Sequence, residues 1–335
     1  MPPSPRQILL LPENRSVFEA LQKLGTRSVS STRKTRLIYV HGPAGTGKSL
    51  LVTRFVRDLL RKSPKIKAEI VTASTFAADL ADASDAKTID QFQARFRSLD
   101  LFVCEDLQSL RHRKESQQQL VHCLDHLADR GSTIVLTATS LPGHWTSFDP
   151  RLTDRCHGAL SIGLKLPALS SRLKLIQHFA QEEHIPFPAT AAKLMARELE
   201  SSPRDLETAV NQLIELSRRS KQNISLELVE QFLKQDVVRP EIPLNQIIRQ
   251  TAKYFDLNAR DLKSESRRSD VVRARQIAMF LARQFTKQTQ QEIARQLGKA
   301  DHTAVIRAEK KIAQLLETDS LIRLQVAEIK EQLRS

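Results

Sequence analysis

Gly42-Pro-Ala-Gly-Thr-Gly-Lys-Ser49 decides the fold of this chain. It reads G-x-x-x-x-G-K-[ST], with glycines spaced so that backbone N–H groups can wrap a phosphate. An apolar, β-rich run, Leu37-Ile-Tyr-Val40, leads in, and an amphipathic stretch from Leu50 to Leu60 leads out. Strand, loop and helix in that order aim a helix N-terminus at an anion. Gly42, Pro43, Ala44, Gly45, Thr46 and Gly47 then form the cradle. Lys48 reaches β- and γ-phosphate oxygens, and Ser49 holds Mg²⁺. The expected ligands are ATP and Mg²⁺. A glycine turn that binds nothing would not need every fixed position filled and both flanks correct.

Outward from the loop, strand candidates recur at Ala68–Thr72, Leu101–Cys104, Thr133–Thr137 and Ala159–Ile162. Helical patterns alternate with them, which predicts an α/β domain over residues 1–166: a parallel sheet with helices on both faces. From 167 to 238 only helical periods remain, at Ser171–Glu182, Ala189–Glu200 and Leu206–Leu216, which reads as a helical lid. Arg239-Pro-Glu-Ile-Pro243 is a linker, since its two prolines discourage helix. Residues 239–335 look all-helical.

The 335 residues suffice for two or three domains, and 40% hydrophobic content is ordinary. No apolar run approaches a membrane span and no signal peptide is visible. Cys104, Cys123 and Cys156 lack metal-ligand spacing and read as reduced core thiols of a cytoplasmic protein. The net charge of +14 favours a polyanion, either nucleic acid or an anionic membrane surface. Between Arg249 and Lys311 there are 15 Lys/Arg against 7 Asp/Glu, and a second basic stretch spans Arg27–Arg36. With one Trp and two Tyr, a stacking platform for single strands is not expected.

Leu101-Phe-Val-Cys-Glu-Asp106 is an apolar strand ending in acids, the second element a triphosphatase needs. Glu105 and Asp106 would serve Mg²⁺ and the attacking water. Thr133–Thr139 reads as the adjacent strand, with Thr137 and Thr139 placed to sense the γ-phosphate. Asp149–Arg155 reads as a charged turn. Near the C-terminus, Thr289–Gly298 is a short amphipathic helix ending at glycine. Lys299-Ala-Asp-His302 then turns into Thr303–Ile312, whose exposed face is basic. That is helix-turn-helix grammar, and it points to double-stranded DNA, with the second helix in the major groove. Arginines at 267–268 and 273–275 precede a long apolar helix beginning at Gln276 and could track phosphate or enter the minor groove.

These elements, in this order, resemble the DnaA family of bacterial chromosomal replication initiators, which are AAA+ ATPases. Val271–Leu281, Gln291-Glu-Ile-Ala294 and Asp301–Ala308 carry the resemblance most specifically. Asp106-Leu-Gln108, Arg151–Arg155 and Ser202–Glu207 carry it in the ATPase part. The resemblance implies that Arg267 enters the minor groove and that Asp301, His302 and Thr303 read or position bases, with Arg307 on the same helix. It puts Arg275 and Gln276 on the DNA backbone. It implies that Arg155 acts in trans on a neighbour's nucleotide and that Arg204 contacts the γ-phosphate from the lid. Copies would then stack head to tail with ATP.

The chain also departs from the family. Glu105 and Thr139 each stand where Asp is usual, Ala304 replaces a Thr and Ala300 an Arg. The family's N-terminal helicase-interaction domain has no counterpart in these residues, so helicase recruitment is not implied. Contact of the basic helices with acidic phospholipid stays open. The first reading is an ATP-dependent initiator that assembles on a replication origin. The alternative is a related ATPase acting as a transcriptional or initiation regulator, and a transposition or helicase-loading helper ATPase is the third class, against which Asp301-His-Thr303 argues.

Overall fold

The computed structural model describes residues 8–26, 36–145, 147–234, 242–286 and 288–334. The basic stretch at 27–35 and most of the proline linker lie outside them, as does the expected boundary at 238. Two compact units emerge, Met1–Val229 and Glu230–Ser335.

In the first unit, α1 (Pro12–Thr26) precedes β1 (Arg36–His41) and α2 (Lys48–Lys62). Next come β2 (Ala68–Thr72), α3 (Ala73–Asp85), α4 (Ile89–Arg97) and β3 (Leu101–Glu105). Then follow α5 (Lys114–Arg130), β4 (Thr133–Ala138), α6 (Pro150–His157) and β5 (Leu160–Gly163). The five strands are parallel, in the order β2-β3-β4-β1-β5. Strand alternation sends Ile38, Val40, Leu101, Val103 and Val135 to one face, where they meet Leu51, Val52 and Phe55 of α2. Tyr39, Phe102, Cys104 and Leu136 go to the other face, against α3 to α6. Burial on both faces is why these strands read as continuous apolar runs. The expected doubly covered parallel sheet is present.

All three cysteines are free and lie in the second of these cores. Burial pushes the Cys123 and Cys156 thiols up to about 12, and Cys104 higher still. No helix among the described residues is long and apolar enough to cross a membrane.

The all-helical continuation comprises α7 (Leu169–Glu182), α8 (Ala189–Glu198), α9 (Pro203–Ser220) and α10 (Leu226–Lys234). Glu13 of α1 anchors its start: one carboxylate oxygen accepts from the Ala168 N–H (2.8 Å), the other from the Ser171 hydroxyl (2.9 Å). The second unit holds α11 (Leu244–Tyr254), α12 (Ala259–Lys263), α13 (Ser269–Phe285), α14 (Gln290–Gln296), α15 (Thr303–Thr318) and α16 (Ser320–Arg334). Its core runs from Ile247 and Ile277 to Ile293, Val305 and Ile329.

Two sequence expectations change. Asp149–Arg155 is not a turn but the start of α6. Asp149 caps it by accepting from the Arg151 N–H (2.9 Å), Pro150 sits in its first turn, and Leu152 and Cys156 bury one face. The long helix near Gln276 begins earlier, at Ser269, so Arg273 and Arg275 are helical residues on different faces, one exposed and one buried.

Candidate functional site

The glycine loop runs from the end of β1 into α2, whose first residue is Lys48. The Lys48 ammonium is buried and donates to the carbonyls of Gly42 (2.7 Å) and Pro43 (3.1 Å). Thr46 closes the loop further, its hydroxyl donating to Pro43 O (2.7 Å). Gly45 is where the loop meets α9. Its φ is +71°, and a Cβ there would lie 2.2 Å from Ser202 Oγ. Only glycine fits such a position. The Arg204 N–H donates to Gly45 O (3.3 Å), and Ser202 caps α9 by accepting from the Asp205 N–H. The Arg204 side chain is exposed, two residues beyond Ser202.

Glu105 ends β3 beneath this loop. It is 8% exposed, and its Oε1 is buried without a hydrogen-bond partner. Burial raises its pKa, an effect that the Ser49 hydroxyl and the Lys48 charge oppose and that Asp106 reinforces. Lys48, Ser49, Glu105 and Asp106 are thereby gathered in one place. A buried carboxylate that accepts from the Ser49 hydroxyl and keeps one oxygen unpartnered fits a hard cation. Among the described residues no group of three His, Cys, Asp or Glu could hold a metal, so waters or phosphate oxygens would complete the shell, as Mg²⁺ prefers.

Asp106 sits in the left-handed region (φ 60°, ψ 51°), uncommon for a side-chain-bearing residue and often found at sites of chemistry. Its N–H donates to Thr137 Oγ1 (3.1 Å). Gln108 bridges acid and strand: its Nε2 donates to Asp106 Oδ1 (3.1 Å), and its Oε1 accepts from the Thr139 N–H (3.2 Å). Nothing in the sequence singles out Gln108 for this bridge. Thr137 is fully buried and Thr139 nearly so.

Arg155 lies on α6. It pairs with Asp125 of α5 (2.7 Å), which also takes Arg151 (3.2 Å). Half of the Arg155 side chain remains exposed.

In the second unit, Thr289 and Glu292 form a reciprocal capping box that starts α14. Gly298 (φ +68°) turns the chain toward α15. Asp301 organises the start of α15: it accepts from the Thr303 N–H (3.0 Å) and hydroxyl and pairs with His302 (3.0 Å). The Thr303 bonds, foremost, hold its carboxyl below the usual range. Asp301, His302 and Arg307 are exposed at this end of α15, and Thr303 is half-buried. Arg267 is exposed on the loop between α12 and α13, and Gln276 is half-buried on α13.

Arg275 departs from expectation. It is 5% exposed, and its guanidinium donates to Leu262 O (2.7 Å), Ser264 O (2.7 Å), Asp261 O (3.3 Å) and Ser266 O (3.3 Å). A side chain whose donors are spent on four carbonyls of its own domain is not presented to a DNA backbone.

The chain matches the family model of the bacterial DnaA ATPase domain over residues 11–163 and that of the bacterial DnaA helix-turn-helix over 244–312. It is 30% identical over 301 residues to the chromosomal replication initiator protein DnaA of Lacticaseibacillus casei, covering 89% of this chain and 67% of that protein. It is 31% identical over 304 residues to the protein of the same description from Levilactobacillus brevis, covering 89% and 66%. The chain thus spans about two thirds of the length of these relatives. Among solved structures, AMPPCP-bound DnaA from Aquifex aeolicus superposes with a TM-score of 0.61 at 23% identity, covering 98% of this chain and 95% of that one. A further crystal structure described as a DNA replication initiation factor gives 0.62 at 22% identity, covering 98% of both chains. With its phosphate-loop ATPase fold and its helix-turn-helix, this chain belongs to the DnaA family of chromosomal replication initiators.

Proposed function

We propose that the chain binds ATP with Mg²⁺ at the glycine loop, grips double-stranded DNA through α15, and assembles head to tail on a replication origin. The observation that carries this reading is the convergence of Lys48, Ser49 and a buried Glu105 with one unpartnered oxygen at one helix N-terminus, in a chain that also carries a helix-turn-helix. Lys48 would exchange its loop carbonyls for phosphate oxygens. Ser49 and Glu105 would hold Mg²⁺, whose charge offsets that of the phosphates. Asp106, fixed by Gln108 and Thr137, would orient water, and Arg204 would contact the γ-phosphate from the lid, with Thr139 reporting through Gln108. In this reading residues 1–166 form the nucleotide domain, 167–238 the lid and 239–335 the DNA-binding domain.

A neighbouring copy's Arg155 would complete the site, leaving Asp125 to do so. Because only ATP offers a γ-phosphate to both Arg155 and Arg204, the nucleotide state becomes an assembly switch. In the DNA-binding domain, Asp301, His302, Thr303 and Arg307 would face the major groove and Arg267 the minor groove. Helicase recruitment and acidic phospholipid are not part of this reading.

Nuclease footprinting on the host's chromosomal origin, with ATP and with ADP, tests the function. An ATP-extended footprint there is expected. Protection confined to scattered promoters would instead favour the regulator.

Two substitutions separate the parts. Arg155→Ala should leave ATP affinity within about twofold of wild type yet abolish ATP-dependent assembly, because a residue used in trans contributes nothing to its own protomer's site. Assembly of the variant at wild-type concentrations, read by sedimentation, would remove the trans role. Glu105→Gln should weaken Mg²⁺-dependent hydrolysis by roughly a hundredfold or more while leaving the nucleotide-free protein at least as stable at pH 7–8. The sign follows from the raised pKa of Glu105: ionising it costs folding stability as pH rises through its folded pKa, whereas below the ordinary carboxylate range both states are protonated and the penalty vanishes. The gain in melting temperature should therefore shrink toward pH 4. A variant melting well below wild type at pH 8 would contradict this.

A further inference from the structure

Resting on the DNA-binding reading above, we infer that Arg275 is a positioning residue: it fixes the loop that carries Arg267 so that this arginine and the start of α15 meet duplex DNA in one fixed register. The four carbonyls that Arg275 engages belong to Asp261 and Leu262, in the last turn of α12, and to Ser264 and Ser266, in the loop that follows. A helix C-terminus leaves carbonyls without partners, and one planar fork with five N–H donors can satisfy several of them together. Ser266 is the residue immediately before Arg267, so the bond to its carbonyl sets the direction in which the chain delivers Arg267.

The same loop is tied to the turn of the helix-turn-helix. A Cβ on Gly298 would lie 1.9 Å from Lys263 O, so the turn and the end of α12 are in backbone contact. Lys299, the next residue, feels this arrangement too. Burial lowers its pKa, the charges of Arg275 and Arg267 lower it further, and Glu265 opposes them. Arg268 is occupied separately, paired with Asp270 at 2.6 Å. The exposed arginine of the loop and the exposed end of the recognition helix are therefore held by one buried guanidinium and one glycine contact. Ala300 adds no charge at this turn. Register thus depends on the Arg267 loop, and Arg267 depends on Arg275.

The test is a double-mutant cycle on the full chain with ATP, using the tightest duplex recovered from a random pool. Arg267→Ala is expected to weaken binding roughly 10- to 100-fold. Arg275→Lys keeps the charge but cannot fork to four carbonyls. It should lose a similar factor, and the double variant should be no weaker than either single one. The slope of log affinity against log salt should fall for Arg267→Ala by about one and no further in the double variant.

Losses that multiply in the double variant would overturn the inference, as would wild-type affinity in Arg275→Lys, since charge alone would then suffice. Thermal melting of each variant accompanies the cycle. If Arg275→Lys is folded yet additive with Arg267→Ala, Arg275 acts on its own and the inference fails. If wild type binds no duplex from the pool, the DNA-binding reading falls and takes this one with it. Wild-type binding with additive losses overturns only this one.

Discussion

Lys48→Ala is expected to abolish ATP binding by the full chain while leaving its binding to duplex DNA unchanged at low salt. Hydrogen bonds to a charged group contribute roughly 1.5–3 kcal/mol each. Lys48 donates to Gly42 and Pro43, bonds it would trade for phosphate oxygens in a buried setting. Removing the only cation rooted in the loop should thus cost at least about 3 kcal/mol, or more than a hundredfold in Kd. The DNA-binding surface belongs to a different compact unit with its own core, so it should not register the change. Equilibrium binding of a fluorescent ATP analogue, beside duplex binding by the same preparation, decides the matter. ATP affinity within tenfold of wild type would mean that the loop does not cradle phosphate through Lys48.

Gly298→Ala should unfold, or nearly unfold, the second unit while sparing the first. At φ +68° a Cβ is strained by about 1–2 kcal/mol before any neighbour is considered. The added methyl would also meet a backbone carbonyl, Lys263 O at 1.9 Å, which cannot rotate away as a side-chain end could. Overpacking against such a partner costs a further 1–3 kcal/mol or thereabouts, a large part of the stability of a domain this size. Calorimetry should show one transition moved down by more than about 8 °C, ATP affinity unaltered and duplex affinity lost at temperatures where that unit has melted. A variant with both transitions in place would show that the turn relaxes freely.

The fold was legible because its signals are local. Glycine spacing, apolar runs of strand length and the shift to helical periods after residue 166 mark the sheet and the helices that follow. The start of α6 was legible too: Asp149-Pro150 is an N-cap followed by a first-turn proline, and reading it as a charged turn overlooked that chemistry. Other features depend on tertiary contact. Nothing in residues 267–275 distinguishes the arginine that points outward from the one folded inward; that depends on which side of α13 faces α12. The Asp125 partnership with Arg151 and Arg155 spans two helices and has no sequence signature. Gln108 falls in the same class, because its bridge between Asp106 and Thr139 exists only once β3 and β4 pair. Acids at strand ends and a lysine after glycines could be picked out by type, whereas their burial, which gives Glu105 its raised pKa, required the structure.

The most direct test counts protomers on one duplex. Mass photometry of the purified chain on a duplex carrying several copies of its selected site, at fixed protein concentration, would compare ATP with ADP. Multi-protomer complexes filling cooperatively with ATP, and single occupancies with ADP, are the expected result. Identical, uncooperative occupancy with either nucleotide would contradict the central claim that the γ-phosphate governs assembly along DNA.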